Sequence, residues 1–298
     1  MRLSPTAVIQ YETCPQHYYL EQVLRIKPRY PAANLVFGRV VHQVLETWMR
    51  SWMSGQPLDA SAAFQTGWTQ ARAEGGIEYS ATQSPESLQE TGKALVAQFA
   101  AAWPQFGWTP ALDPQGEPLF ERKLDIEREG VVYVGKPDLL ALNATLEVGC
   151  LDYKTPSTPT PPEWLVASDQ LMGYQILADA HAERLGLPPV QHLGLIELIK
   201  RPLPKRTGKG PEVHPPVLIP RHSQNDVEAY WRKVQWVAED IDRGRFPKRS
   251  LMAHNSPCGL CAFKDWCHHE DPSGLILPAD PPAPVAANPV VESQPLTV

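Results

Sequence analysis

Three charged residues in the middle of the chain have the types and spacing of phosphate chemistry. Asp152 and Lys154 stand two apart in an apolar run over 146–154. Side chains alternate between the faces of a β-strand, so these two would share one face while Leu151 and Tyr153 take the other. The preceding segment contains Gly135-Lys136-Pro137-Asp138, and in an antiparallel pair with a short connection Asp138 lies across from Asp152. Two close carboxylates repel unless they share a proton or a divalent cation, and hard oxygen donors of this kind suit Mg²⁺ or Mn²⁺. Lys154 beside such a pair can orient an attacking water or offset negative charge gathering on a phosphate. The plainer reading of the triplet is a buried Asp-Lys ion pair. Further on, Gln170 and Tyr174 are four apart, so on a helix both address one ligand. Each taken alone is an ordinary surface or core residue.

A second group has softer chemistry. Cys258, Cys261 and Cys267 form a C-x2-C-x5-C array in a Pro/Gly-flanked loop, and thiolates at such spacing select zinc or an iron-sulfur cluster. Three ligands want a fourth, and Cys14 and Cys150 are the remaining cysteines. Cys150 falls in the apolar part of the Asp152 strand, where a free cysteine behaves as a small core residue. Cys14 precedes a proline at a helix end. His268 and His269 directly follow Cys267 and keep zinc open, although a five-residue gap is wider than most zinc knuckles use. Either metal would clamp the N-terminal helix to the C-terminal segment, a mainly structural role.

Ordered elements must position these residues. Ser4-Pro5 is an N-cap and first-turn signature, and Ala7, Val8, Tyr11 and Cys14 recur at helical spacing, which predicts a helix up to Pro15 and a second over 16–24. A longer helix over 35–53 places Val41, Leu45, Trp48 and Trp52 on one face with His42 beside Val41. Helices over 59–73 and 84–103 follow. The period then changes to two: 118–126, 131–142 and 146–154 read as a three-stranded antiparallel meander, separated by Glu129-Gly130 and Asn143. A helix over 163–185, strands over 191–198 and 213–219, and a helix over 224–243 complete an α/β order of helix, three strands, helix, strand.

The order of these residues resembles the PD-(D/E)XK nuclease superfamily in its RecB-like branch. His42, Asp138, the triplet Asp152-Tyr153-Lys154 and the Q-x-x-x-Y of Gln170 and Tyr174 look like its successive motifs; Leu3-Ser4-Pro5 to Cys14-Pro15 and Phe37-Gly38 to His42 resemble the same branch. The resemblance implies a restriction-endonuclease-like core. It also implies that His42, Asp138, Asp152 and the Tyr153 carbonyl ligate the catalytic metal, that Lys154 serves the water, and that Gln170 and Tyr174 organise site and DNA. One N-terminal cysteine with a distant C-x2-C-x5-C is similar to the iron-sulfur variant of that branch, found in AddB-type subunits and CRISPR-associated adaptation exonucleases. On that likeness Cys14, Cys258, Cys261 and Cys267 hold a 4Fe-4S cluster, with Zn²⁺ as the alternative. The matching domain order is an N-terminal helical segment over 1–34, a nuclease domain over 35–249, a cysteine segment over 250–271 and a disordered Pro-rich tail over 272–298.

Composition sets outer limits. The chain has 298 residues, 43% of them apolar and 20% charged, an ordinary globular balance that excludes disorder throughout. No apolar run approaches the roughly 20 residues that span a bilayer, and residues 1–10 lack a signal-peptide core, so the expectation is a cytoplasmic protein without a membrane partner. Five cysteines, an odd number, do not make a secreted disulfide framework. A net charge of −6 argues against non-specific nucleic-acid binding, but two stretches are locally basic: Lys200, Arg201, Lys205, Arg206 and Lys209, and then Arg243, Arg245, Lys248 and Arg249. Beside a nuclease site they would grip a DNA backbone; otherwise they are solvated loops. The expected activity is therefore a metal-dependent DNA exonuclease on single strands or duplex ends, in repair, recombination or CRISPR adaptation. No G-x-x-x-x-G-K-[ST] loop is present, so unwinding would come from a partner such as a helicase. The competing reading is a non-catalytic DNA-binding module with a structural metal.

Overall fold

The structure is a computed structural model that describes residues 1–56, 58–204 and 207–279. β1 (Arg2–Leu3) leads into α1 (Pro5–Thr13), where the Ser4 hydroxyl accepts the Ala7 N–H at 3.1 Å and satisfies an otherwise free first-turn donor. Cys14 ends α1 in an extended conformation and Pro15 opens α2 (Pro15–Tyr18), which runs on as a π-helical turn over Tyr19–Val23 before β2 (Lys27–Pro28).

Three long helices follow: α3 (Ala33–Met53), α4 (Ala60–Ala73) and α5 (Pro85–Ala102). Asp59 and Ser84 cap the last two, accepting the Ala62 and Ser87 N–H groups at 3.1 Å each. Apolar stripes at helical spacing then meet: Val41, Leu45 and Trp48 of α3, Phe64 and Trp68 of α4 and Phe99 of α5 are buried in one core. Trp52, expected on the same stripe, lies at its rim, partly exposed and stacked on Trp48.

The strand region departs from the expected meander. It contains β3 (Trp108–Pro110), which the sequence pattern did not announce, β4 (Leu124–Arg128), β5 (Val131–Gly135), β6 (Leu139–Asn143) and β7 (Val148–Lys154). The run over 131–142 splits at Lys136-Pro137, because proline has no N–H to give a ladder. β4 and β5 join β1 in one sheet, whereas β6 and β7 belong to another. The helix expected over 163–185 is likewise three pieces: α6 (Pro162–Leu165), α7 (Asp169–Ala180) and α8 (Ala182–Leu185). Ser168 interrupts the run by capping α7 through the Leu171 N–H. Beyond β8 (Val190–Ile199), the strand expected over 213–219 divides at Pro215-Pro216 into β9 (Glu212–Val213) and β10 (Val217–Pro220), and α9 (Gln224–Asp242), α10 (Lys264–His269) and β11 (Leu275–Ile276) complete the chain.

The main sheet has the order β10-β8-β7-β6-β3, with β9 paired to β8. β7 is antiparallel to β6 and parallel to β8, and the parallel pair needs the long crossover that α6, α7 and α8 provide. One face of β7 sends Leu151 and Tyr153 into the core with α3, α4 and α5; the alternation leaves Cys150 and Asp152 on the face that α7 covers.

Two compact units divide the chain differently from the expected linear order. One gathers Tyr30–Ile126 and Val134–Val227 and carries the carboxylates, Lys154, Gln170 and Tyr174. The other gathers Met1–Arg29, Glu127–Tyr133 and the chain from Glu228 onward, so α9 and the basic stretch over 243–249 belong with the cysteines. Inside it Leu20, Ile26, Phe263 and Leu275 form a small core, and β11 pairs with β2 by setting Leu275 against Pro28. The tail expected from residue 272 thus begins as ordered chain; its part from 280 lies outside the described residues. Among the described residues no helix is long and apolar enough to cross a membrane.

Candidate active site

The β6/β7 ladder pairs Leu139 with Leu151, and one further step of that register sets Asp138 against Asp152. Both are buried. Asp138 is held from two sides: its Oδ1 lies 3.4 Å from Nδ1 of His42 on α3, and its Oδ2 accepts the Tyr153 backbone N–H at 2.8 Å. The His42 ring also meets the Tyr153 ring edge-on, with centroids 5.8 Å apart. Pro137, between β5 and β6, deprives neither strand of a ladder bond.

Asp152 is held by a second set of partners. Lys154 Nζ is 2.5 Å from its Oδ2 and donates to Gln170 Oε1 at 2.8 Å. The Gln170 amide uses both its hydrogens, one toward Asp152 Oδ1 at 3.1 Å and one toward the Tyr174 hydroxyl at 3.0 Å. Gln170 and Tyr174 reach this network because α7 packs tightly at Gly135, where an added Cβ would lie 2.5 Å from Leu177 Cδ1. The structure therefore links Asp152, Lys154, Gln170 and Tyr174 in one network, with His42, Asp138 and the Tyr153 backbone in an adjoining one.

Electrostatics separates the two aspartates. Burial and the neighbouring charge of Asp138 push Asp152 up to about 7, with Lys154 pulling only partly the other way. Burial also opposes the charge on Asp138, but the His42 hydrogen bond and charge, the Tyr153 N–H and Lys154 outweigh it and hold this carboxyl below its ordinary value. Burial would depress His42, and Asp138 reverses that and raises it. The donor set fits a hard divalent ion, with carboxylate oxygens, a main-chain carbonyl and one imidazole nitrogen. Asp152 Oδ2 is open to such an ion. It is buried and makes no well-directed hydrogen bond, since Lys154 offers it charge at close range rather than an aligned donor.

Sequence reasoning missed Glu121. It follows β3 in an irregular stretch, with a left-handed φ of 42°, and its N–H donates to the Asp138 carbonyl at 3.0 Å. One donor atom each from His42, Glu121 and Asp138 lie within 4.8 Å of one another. No spacing rule points to it, because the left-handed turn and the Phe120 bridge to Leu139 bring it there.

The other expected residues fall as follows. Lys200 Nζ donates to Asn34 Oδ1 at 2.5 Å over the Phe37 ring, and burial lowers its pKa. Arg201 pairs with Glu212 at 2.8 Å and Lys209 is exposed. Lys205 and Arg206 lie outside the described residues. In the second basic stretch Arg245 pairs with Asp240 at 3.0 Å, Lys248 donates to the Cys267 carbonyl at 2.5 Å, and Arg249 donates to the carbonyls of Thr13 and Glu12 at 3.1 and 2.5 Å. Arg249 thus ties down carbonyls at the end of α1, where positive charge is favourable.

Cys14, Cys258, Cys261 and Cys267 all fall in one unit. Burial pushes the thiols of Cys261 and Cys267 up, and Cys14 and Cys258 add to both shifts, so the four sulfurs lie near enough to feel one another. The turn is set by backbone bonds: the Cys261 N–H to the Cys258 carbonyl at 3.2 Å and the Cys267 N–H to the Phe263 carbonyl at 2.8 Å. Cys150 is a buried core residue opposite Leu140.

No curated protein sequence is significantly similar to the chain. Among solved structures, the crystal structure of SSO0001 aligns with 90% of this chain and 85% of its own at 12% identity, with a TM-score of 0.38, too slight a likeness to bear on function. The sequence profile of the PD-(D/E)XK nuclease superfamily matches residues 2–268, nearly the whole chain. With a mixed sheet that sets Asp138 and Asp152 side by side and a lysine two residues on, the chain belongs to the PD-(D/E)XK nuclease superfamily.

Proposed function

We propose that this superfamily member is a DNA exonuclease acting on single strands or duplex ends. Membership implies metal-dependent hydrolysis of phosphodiester bonds; the hydrogen-bonded set around Asp152 supports the hydrolytic centre, and the exonuclease reading follows the resemblance of the motif order to the RecB-like branch. His42, Asp138, Asp152 and the Tyr153 carbonyl would hold Mg²⁺ or Mn²⁺, which supplies Lewis acidity toward the phosphate. The chain's own groups do the positioning. Asp138, kept ionised by His42 and the Tyr153 N–H, presents fixed negative charge. Asp152, with a pKa near 7, is poised to lose its proton at working pH. Gln170 locks the ammonium of Lys154 by accepting one of its hydrogens, which aims the remaining positive charge where a phosphate gathers negative charge. Lys209, with Lys200, Arg201, Lys205 and Arg206, is the proposed grip on the DNA backbone, and a helicase or recombination partner would supply ends.

Cys14, Cys258, Cys261 and Cys267 are the proposed ligands of a 4Fe-4S cluster, with zinc as the alternative. Their shared unit and mutual electrostatic influence support a common site. The deciding experiment is a titration of Mg²⁺ and Mn²⁺ on end-labelled single-stranded, duplex and circular DNA with wild-type protein. Mononucleotides or short products from linear DNA, and intact circles, are expected; nicking of circles would instead make it an endonuclease. Iron and a brown colour in anaerobically purified protein are expected, and a colourless zinc-loaded preparation would reject the cluster.

A further inference from the structure

We propose that Glu121 is a protein ligand of the divalent ion, together with His42 and Asp138, and that Lys136 is the counter-ion it releases when the ion binds. The inference rests on the metal-dependent nuclease reading and adds to its ligand set. Donor atoms of His42, Glu121 and Asp138 lie within 4.8 Å of one another. Around one octahedral ion with bonds of about 2.1 Å, neighbouring ligands stand about 3.0 Å apart and opposite ones about 4.2 Å, so the three donors draw in by up to about 2 Å when the ion binds. Asp152 stands outside it, its two oxygens facing Gln170 and Lys154. Asp138 therefore serves two corners, one with Asp152 across the ladder and one with Glu121 and His42.

The backbone explains how a residue so far upstream enters the site. Phe120 bridges to Leu139, and the next residue gives its N–H to the Asp138 carbonyl at 3.0 Å. The φ of 42° at Glu121 is unusual for a residue with a Cβ. Its carboxylate then meets two kinds of neighbour. Toward the site are the His42 imidazole and the Asp138 carboxylate, and a second negative charge there is unfavourable without a cation. Toward solvent is the Lys136 ammonium, which contacts Glu121 Oε2. Lys136 is 53% exposed, so water screens its hold on Glu121 and a doubly charged ion can replace it.

Mn²⁺ binding to the full chain as purified, with its cysteine site loaded, tests the assignment by calorimetry and by the Mn²⁺ paramagnetic resonance signal, neither of which needs turnover. Glu121→Gln should weaken Mn²⁺ binding by roughly 10- to 100-fold, on the scale seen when metal-site partners are lost. Lys136→Met, at a half-exposed position, should tighten it a few-fold. Asp138→Asn serves as the reference and should abolish binding. If Glu121→Gln binds Mn²⁺ as wild type does while Asp138→Asn does not, Glu121 is only a surface ion-pair partner and the nuclease centre stands without it. Unchanged or weaker binding in Lys136→Met overturns the counter-ion role. If Asp138→Asn also binds normally, the metal-dependent reading of the whole site fails.

Discussion

The carboxylate site and the cysteine group are built on opposite plans. Asp138 and Asp152 face one another across the β6/β7 register, and their oxygens are held without an ion by hydrogen bonds from the Tyr153 backbone and Gln170 and by charge from His42 and Lys154. The cysteines come from the end of α1 and, more than two hundred residues later, from a short turn and from α10 just after it, with a small core of Leu20, Ile26, Phe263 and Leu275 in the same unit. A site mounted on a sheet keeps its geometry when its ligand leaves. A site whose donors close a long stretch of chain leans on its ligand for stability, because the closure entropy must be offset there.

Asp152→Ala separates the two sites most clearly. Cleavage should fall at least ~10³-fold, since a group facing the reacting phosphate is lost, while DNA binding and the melting temperature hold. A large drop in melting temperature would show that the carboxylate site also leans on its ligand. Cys267→Ser should do the reverse if the proposed metal is held there: that metal is lost, and stability falls by about 3 kcal/mol or more, with α1 and residues 250–279 becoming sensitive to limited proteolysis. Retention of metal and protease resistance would remove the contrast.

Within the carboxylate site, Lys154→Met should cost about 10²-fold in kcat. Gln170→Ala removes a group that holds both the Lys154 ammonium and Asp152 in place, and should cost about 10-fold with little change in KM. Equal losses would mean that Gln170 itself touches the substrate. Stability should also respond to pH. Asp152, held up to about 7 by burial and Asp138, favours the folded state while protonated. That advantage is complete below about pH 4, the ordinary value for the unfolded chain, and is lost as pH rises through about 7. Asp138 is shifted in the opposite direction, but its contribution is lost only as pH falls below about 4, so the change between pH 5 and 8 belongs to Asp152. Thermal unfolding in chelator should show wild type losing stability relative to Asp152→Asn from pH 5 to 8; a constant difference would mean that Asp152 is ionised throughout.

Local rules made much of this protein legible. Ser4, Asp59 and Ser84 cap the helices that follow them because a short polar side chain is the natural acceptor for a free first-turn N–H. The i, i+2 spacing of Asp152 and Lys154 and the i, i+4 spacing of Gln170 and Tyr174 carried over directly into shared faces, since each depends only on the period of its own element. Where a local signal was underweighted, the elements came out too long. Pro137 separates β5 from β6, and Ser168 restarts the helix at α7.

Tertiary structure decided what periodicity does not carry. The sequence alone set the period of each element, its caps and the residue types with the chemistry. The pairing of β7 with both β6 and β8, the addition of Glu121 and the use of Lys248 and Arg249 as ties for backbone carbonyls arose only when distant segments met. Capping and alternation are energies of a few adjacent residues, whereas a metal corner or a buried carbonyl depends on which strand becomes the neighbour, and that is chosen by burial summed over the whole chain.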